Sequence, residues 1–147
     1  MQKPLYISIH LAEDRFEGDI SKELNISIEN INSELAEQPA QFARWGTMEV
    51  IAKDILESYQ GQKSEKLRTE NEKISETKIE SLLLNDPEYM KLKKQHNTLR
   101  IVKEAFRQRK DMLISLAANL REEFDIDLSV KKKVADEKLK GIRRLRE

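Results

Sequence analysis

The sequence predicts an all-α protein with long antiparallel helices in coiled-coil-like packing, a short extended N-terminal arm and a basic C-terminal helix. Charged residues make up 37% of the 147 residues and aromatic residues only 5%, whereas average globular chains carry about 25% charged residues. Apolar residues also recur at helical spacing along most of the chain. Long helices that expose one side to solvent explain both observations.

We divide the chain into an N-terminal extended arm (1–26), a helical core domain (27–124) and a hinge with a basic C-terminal helix (125–147). Hydrophobic residues make up 38% of the chain, so one copy has little apolar surface for a thick core. Burial between copies would relieve that shortage. We therefore expect a homo-oligomer.

The N-terminal arm alternates apolar and polar residues. Leu5, Ile7, Ile9 and Leu11 alternate with polar or half-polar side chains, a period of two that is typical of a short strand. A lone strand leaves its backbone unpaired. We expect this one to pair with another copy, to add to the sheet of a partner, or to be loosely ordered.

Two long helices should form the core domain. One helix should begin near Ser27 and end before Pro39. Pro39 should start the first of the two long helices, because proline is tolerated in the first turn of a helix but not in its interior. That helix should run to Lys73. Its packing positions lie seven apart: Trp45, Ala52 and Tyr59.

A short helix should open at the capping box of Thr77 and Glu80, and Asp86 and Pro87 should then begin the longest helix, which ends near residue 123. Its apolar positions also lie seven apart, which favours packing against the helix of residues 39–73 or against other copies. A hinge at residues 125–130 should follow. The packing positions are Leu92, Leu99, Phe106, Leu113 and Leu120.

The formal net charge is zero but unevenly distributed, with −5 in residues 1–38 and +5 in residues 131–147. The basic tail includes Lys132, Arg143 and Arg144, which we take as candidate DNA contacts. Nucleic-acid contact, docking on an acidic protein surface and an oligomer-forming helix with basic flanks are all open interpretations. No aromatic residue lies in the tail, so stacking on bases is not expected there.

A second basic cluster contains Lys63, Lys66, Arg68 and Lys73 and could follow a phosphate backbone. Glutamates at positions 65, 70 and 72 lie between these cations, so a solvated, salt-bridged surface is the alternative interpretation.

Catalysis is not expected. The chain has no cysteine, and its two histidines, His10 and His96, lack neighbours at zinc-ligand spacing, so we predict no metal site and no cofactor. Glycine-rich phosphate loops and nucleophile motifs are absent from the sequence. No apolar run approaches the roughly 20 residues of a membrane span, and the first residues lack a signal-peptide layout. We expect a cytoplasmic, non-enzymatic protein without membrane partners.

Three stretches carry a resemblance to a known family: residues 34–46 (ELAEQPAQFARWG), 85–89 (NDPEY) and 105–113 (AFRQRKDML). Together they resemble the UvsY-type phage recombination mediators over residues 27–124. The resemblance implies an all-helical, ring-forming protein that binds single-stranded DNA and helps a RecA-like recombinase displace single-strand-binding protein. It also implies DNA contacts from a Lys-x-Arg pattern, whose spacing Lys66 and Arg68 match.

The resemblance thus implies a non-enzymatic phage recombination and repair protein that binds single-stranded DNA and loads a recombinase. Two alternatives stay open. One is a phage assembly or scaffolding protein that docks on acidic coat protein without touching DNA, and the other is a small inhibitor of a host protein.

Overall fold

The computed structural model describes residues 4–11, 13 and 15–146. A β-hairpin precedes one helical turn, a 3-10 turn (Ile28–Asn30) and three further helices. The elements, in chain order, are β1 (Tyr6–His10), β2 (Arg15–Asp19), α1 (Ser21–Leu24), α2 (Ile31–Glu70), α3 (Glu76–Leu84) and α4 (Pro87–Arg146). The chain is therefore mostly helical, as the sequence predicts, with one small sheet.

The predicted extended arm is half of a β-hairpin. Strand β1 pairs antiparallel with β2, and Ile9 lies opposite Phe16 in the register. The alternation in the sequence separates the faces over most of the strand, because Ile9 and Leu11 are buried while Tyr6 and Ser8 are exposed; Leu5, where the alternation begins, is 55% exposed. The backbone N–H of His10 donates to Gln95 Oε1 at 2.9 Å, which ties the sheet to α4.

The expectation that this strand lacks a partner within its own chain is therefore wrong. Its partner has the sequence RFEGD, in which only Phe16 is a large apolar residue. A strand with so little alternation gives almost no periodic signal. The short chain distance between the two strands makes the antiparallel pairing inexpensive in loop entropy. Residues 1–3 of the arm lie outside the described residues.

Helices α2 and α4 pack antiparallel along most of α2. From the start of α2 onward, Gln38 contacts Phe106, Glu49 contacts His96, and Tyr59 contacts Asp86 just before α4 begins. The residue numbers of these contacts rise along α2 and fall toward the start of α4, so the two helices run in opposite directions. Antiparallel packing of the two long helices is therefore confirmed, whereas coiled-coil interdigitation and oligomerisation stay predictions.

The core lies where the hairpin covers the α2–α4 pair. The indole of Trp45 is fully buried between Phe16, at 5.0 Å edge-to-face, and Phe106, at 5.9 Å in a stacked arrangement. Such aromatic pairs stabilise a core beyond the area they bury. Ile9 and Leu99 close the same cluster from the hairpin and from α4.

The predicted helix start at Pro39 is wrong, because α2 runs without a break from Ile31 to Glu70. An interior proline removes one helical hydrogen bond and costs about 3 kcal/mol. Contacts on both sides offset that cost. Ile31 and Gln38 are buried before the proline and Trp45 after it, so tertiary packing holds both halves in the helical conformation.

The predicted hinge at residues 125–130 is also not observed, since α4 is one continuous helix of 60 residues. The segment DIDLSV contains neither glycine nor proline, and its β-branched residues lower helix propensity only slightly. At the other end of α4, Asp86 Oδ1 accepts the N–H groups of Glu88 and Tyr89, which confirms the predicted cap. Helix α3 is capped by Ser75 rather than by Thr77.

Candidate nucleic-acid interface

The first predicted basic cluster lies at the end of α2 and is partly neutralised within the chain. Lys63 Nζ lies 3.8 Å from Asp86 Oδ2, and Arg68 donates two hydrogen bonds to the carboxylate of Glu76, at 2.8 and 3.1 Å. Lys66 and Lys73 are exposed. Two of the four predicted DNA contacts thus hold helices α2, α3 and α4 together, which favours the salt-bridge interpretation for those two residues.

Asp86 organises this end of the molecule. Its Oδ1 caps α4, while its Oδ2 accepts a 2.6 Å hydrogen bond from the Tyr59 hydroxyl and faces Lys63. The Tyr59 hydrogen bond is the main reason that the pKa of Asp86 lies below its ordinary value. The same bond, together with burial, raises the pKa of Tyr59 to about 12. Tyr59, predicted as a packing residue, therefore also fastens α2 to the start of α4.

Titration should reveal this contact. The rise in tyrosinate absorbance with pH that is lost in Tyr59→Phe reports the titration of Tyr59. We expect its midpoint near pH 12 rather than near the ordinary value of about 10. Because the raised pKa favours the neutral hydroxyl in the folded chain, its stabilising effect is complete below about pH 10 and is lost as the pH rises toward about 12. Tyr6→Phe, which removes a side chain that is 80% exposed, controls for the loss of one chromophore. A difference titration centred near pH 10 would contradict the hydrogen bond.

The second predicted basic region lies on a part of α4 that projects past the start of α2. We call residues 125–146 the overhang. Every residue from 121 to 146 is exposed. At 1.5 Å per residue, the overhang is about 33 Å long. It contains Lys132, Arg143 and Arg144 among its eight cations.

The cations of the overhang are not neutralised as the first cluster is. Residues 131–146 carry eight cations and only two carboxylates, Asp136 and Glu137. Within the described ranges 4–11, 13 and 15–146, none of these cations forms a salt bridge. The overhang is therefore the stronger positive surface of the two.

The overhang has two faces. At 100° per residue, one side is basic and the other is apolar. We call the first the basic face (Lys132, Lys133, Lys140, Arg143 and Arg144) and the second the apolar face (Phe124, Leu128, Ala135, Leu139 and Ile142, the first at the base of the overhang). Three other cations, Lys131, Lys138 and Arg146, lie within or beside the apolar face.

The predicted packing residues lie along the α2–α4 contact within one subunit. Trp45, Ala52, Leu99, Phe106 and Leu113 are buried, with at most 2% of each side chain exposed. Tyr59, Leu92 and Leu120 are half-buried, toward the two ends of the paired region.

A buried polar cluster around Arg109 was not identified as a site from the sequence. Its guanidinium donates to Gln38 Oε1 at 2.6 Å and to the backbone carbonyls of Leu24 and Asn25, and Glu34 lies 3.5 Å away. Gln38 in turn donates to the Phe106 carbonyl. Only one signal points to it: Arg109 follows Phe106 by three residues, on the side of α4 that faces α2. The cluster ties the segment after the hairpin to both long helices.

Each histidine lies beside the carboxylate of one glutamate. His96 Nε2 donates to Glu49 Oε1 at 2.9 Å between α4 and α2, and His10 lies 3.1 Å from Glu17 across the hairpin. Among the residues that the structure describes, no group of histidine, aspartate and glutamate could hold a metal ion. No helix in the described part of the chain has the length and apolar character to cross a membrane.

Comparisons with protein-family models, with curated proteins and with solved structures find no match to this chain.

Proposed function

We propose that this protein is a non-enzymatic, cytoplasmic phage recombination mediator that binds single-stranded DNA through the basic face of the overhang. In this proposal it assists a RecA-like recombinase in displacing single-strand-binding protein and acts with further copies of itself. The observation that supports DNA binding most directly is the net positive, unpaired charge of residues 131–146.

Phosphate contact is the mode of binding that these residues favour. Lysine and arginine neutralise phosphates and release counterions, and this electrostatic term does not depend on base sequence. No aromatic residue lies in residues 131–146, so base stacking adds nothing there. Lys66 and Lys73 would supply secondary contacts at the other end of α4. The preference for single strands comes from the family resemblance rather than from the charges.

A second candidate function is docking on another protein during phage assembly, or inhibition of a host protein. The exposed apolar face favours it, because Phe124 is 62% exposed and Leu139 is 56% exposed beside the basic residues. Apolar side chains in a row on a helix are typical of a surface that packs on another helix. Co-purification with a capsid or host protein, without DNA affinity, would favour this candidate.

Fluorescence anisotropy of labelled single-stranded and double-stranded oligonucleotides, titrated at several salt concentrations, tests the main proposal. We expect tighter binding to the single strand. Replacing Lys132, Arg143 and Arg144 together by glutamine should weaken binding and flatten the slope of log affinity against log salt by about 2, at about 0.7 per phosphate contact. No binding of the unsubstituted protein at low salt would refute DNA binding.

A matched comparison locates the site. Lys66→Gln combined with Arg68→Gln removes cations of the first cluster, of which Arg68 is already paired with Glu76. We expect this variant to change the salt slope by less than the overhang variant does. A larger effect from the Lys66 and Arg68 variant would move the DNA contact to the first cluster while leaving the proposed function intact.

A further inference from the structure

The apolar face of the overhang continues the side of α4 that packs on α2. Leu99, Phe106 and Leu113 lie on that side and are buried by α2 and the hairpin. Phe124 and Ile142 follow Phe106 by 18 and 36 residues, which are whole numbers of turns at 3.6 residues per turn. The same stripe thus runs past the start of α2 with nothing covering it in a single copy.

A cleft of about 410 Å³ lies where α2 begins and α4 continues alone. Ile31 lines it from α2, and Leu120, Phe124 and Asp125 line it from α4. A helix packed on the apolar face would end at this cleft. It would lie beside the overhang as α2 lies beside the preceding part of α4. The occupant therefore needs an apolar side chain near its end, with basic residues beside it to match Asp125 and its acidic neighbours.

The overhang itself has that pattern. Leu145, at its far end, is 89% exposed and lies among Arg143, Arg144 and Arg146. Four carboxylates lie at the other end, in residues 122–127, with one arginine before them. In an antiparallel pair of overhangs, the basic end of each copy lies beside the acidic end of the other. A parallel pair would place the basic ends against each other, and like charges repel.

We propose that two copies of this chain pair through their overhangs in antiparallel orientation, apolar face to apolar face. Leu145 of each copy enters the cleft between Ile31 and Phe124 of the other, so the two-fold axis passes near residues 133–135. Each overhang then covers the stripe that its own α2 does not reach. The contact is isologous and closes on two copies.

The pairing leaves the basic face outside. The basic face lies away from the centre of the contact. The pair therefore presents two basic faces, one on each of its two helices. The pairing does not rest on the proposed function, since the apolar face and the charge pattern along the overhang do not require DNA. It is nevertheless compatible with DNA bound across both copies.

The mass in solution tests the contact. Sedimentation equilibrium of the full chain should give twice the subunit mass of 17.2 kDa. Leu139→Glu combined with Ile142→Glu should raise the dissociation constant of the pair at least about tenfold and give the single-subunit mass at micromolar concentration. Ile126→Glu combined with Val130→Glu is the matched control, because these side chains are equally exposed on the same helix but lie outside the apolar face.

Orientation is tested by crosslinking, which the absence of native cysteine makes simple. Phe124→Cys and Ile142→Cys proteins, each alone, should give little dimer with a short bis-maleimide, whereas their mixture should crosslink efficiently. Ala135→Cys, near the proposed two-fold axis, should crosslink with itself. Efficient self-crosslinking of Ile142→Cys alone would overturn the antiparallel orientation. A single-subunit mass for the unsubstituted protein, or an unchanged mass for the Leu139 and Ile142 variant, would overturn the pairing.

The outcomes separate this inference from DNA binding. Glutamine at Lys132, Lys133 and Lys140, which lie on the basic face away from the arginine-rich end, should weaken DNA binding and leave the mass at two subunits. If the unsubstituted protein has the mass of two subunits but binds no DNA at low salt, the pairing is supported and the proposed function is refuted.

Discussion

Replacing Arg109 with methionine is expected to lower the free energy of unfolding by about 3–5 kcal/mol, the usual result of removing one partner from a buried charged pair. Arg109 is 5% exposed, and removal of its guanidinium leaves Gln38 Oε1 and the carbonyls of Leu24 and Asn25 without their donor. Methionine keeps an unbranched apolar stem at this position, so the substitution removes the guanidinium and its hydrogen bonds while retaining the packing of the stem.

Urea unfolding followed by the fluorescence of Trp45, the one tryptophan of the chain, measures this loss. Stability of a self-associating protein depends on concentration, so all variants need comparison at one concentration. Arg107→Met is the matched control, two residues earlier on α4, where the arginine is largely exposed and pairs with Glu104. We expect that variant to unfold close to the unsubstituted protein. Equal midpoints for Arg109→Met and Arg107→Met would show that the buried cluster does not form.

Phe106→Ala should have an effect of similar size, about 3–5 kcal/mol, because it removes a fully buried aromatic ring and leaves a cavity. Phe106 stacks on Trp45, and Trp45 in turn contacts Phe16 of the hairpin. The loss should therefore loosen the hairpin as well as the pair of long helices. Trp45 is retained in this variant, so the same fluorescence measurement applies.

Ile101→Ala provides the control for Phe106→Ala. Ile101 lies on the same helix and loses a similar kind of apolar group, but 71% of its surface is exposed. We expect only a small change in the unfolding midpoint. A Phe106→Ala variant that unfolds no earlier than Ile101→Ala would contradict the packing of α4 on Trp45. Hydrogen exchange of the β1 amides would show directly whether the hairpin loosens.

The long helices were predictable because their signal is repeated. Five apolar residues at intervals of seven mark the packed side of α4, and the three at its centre, Leu99, Phe106 and Leu113, are fully buried. Whether a helix is interrupted at a given residue was less predictable. Pro39 stays inside α2 because contacts on either side hold the helix, and residues 125–130 stay helical because nothing in them stops a helix. Both outcomes depend on neighbours that a local pattern does not include.

The hairpin and the Arg109 cluster show a different limit. Strand β2 carries one large apolar residue, so its pairing with β1 leaves no periodic trace in the sequence. Arg109 has the composition of a surface residue, and its burial depends on carbonyls that lie 84 and 85 residues earlier in the chain. The basic clusters are visible in the sequence, but the pairing of Lys63 with Asp86 and of Arg68 with Glu76 depends on how α2, α3 and α4 meet.

The position of the hairpin in the chain has a consequence for synthesis. The hairpin leaves the ribosome before α4, yet its docking surface includes Gln95, Leu99 and Phe106, which are made much later. Until then Ile9 and Ile20 lack the part of their core that α4 supplies, and any sheet that the two strands form has open edges. A nascent chain with exposed apolar strands is prone to wrong association. The acidic residues that crowd the first 38 positions would keep such chains apart by mutual repulsion until α4 arrives.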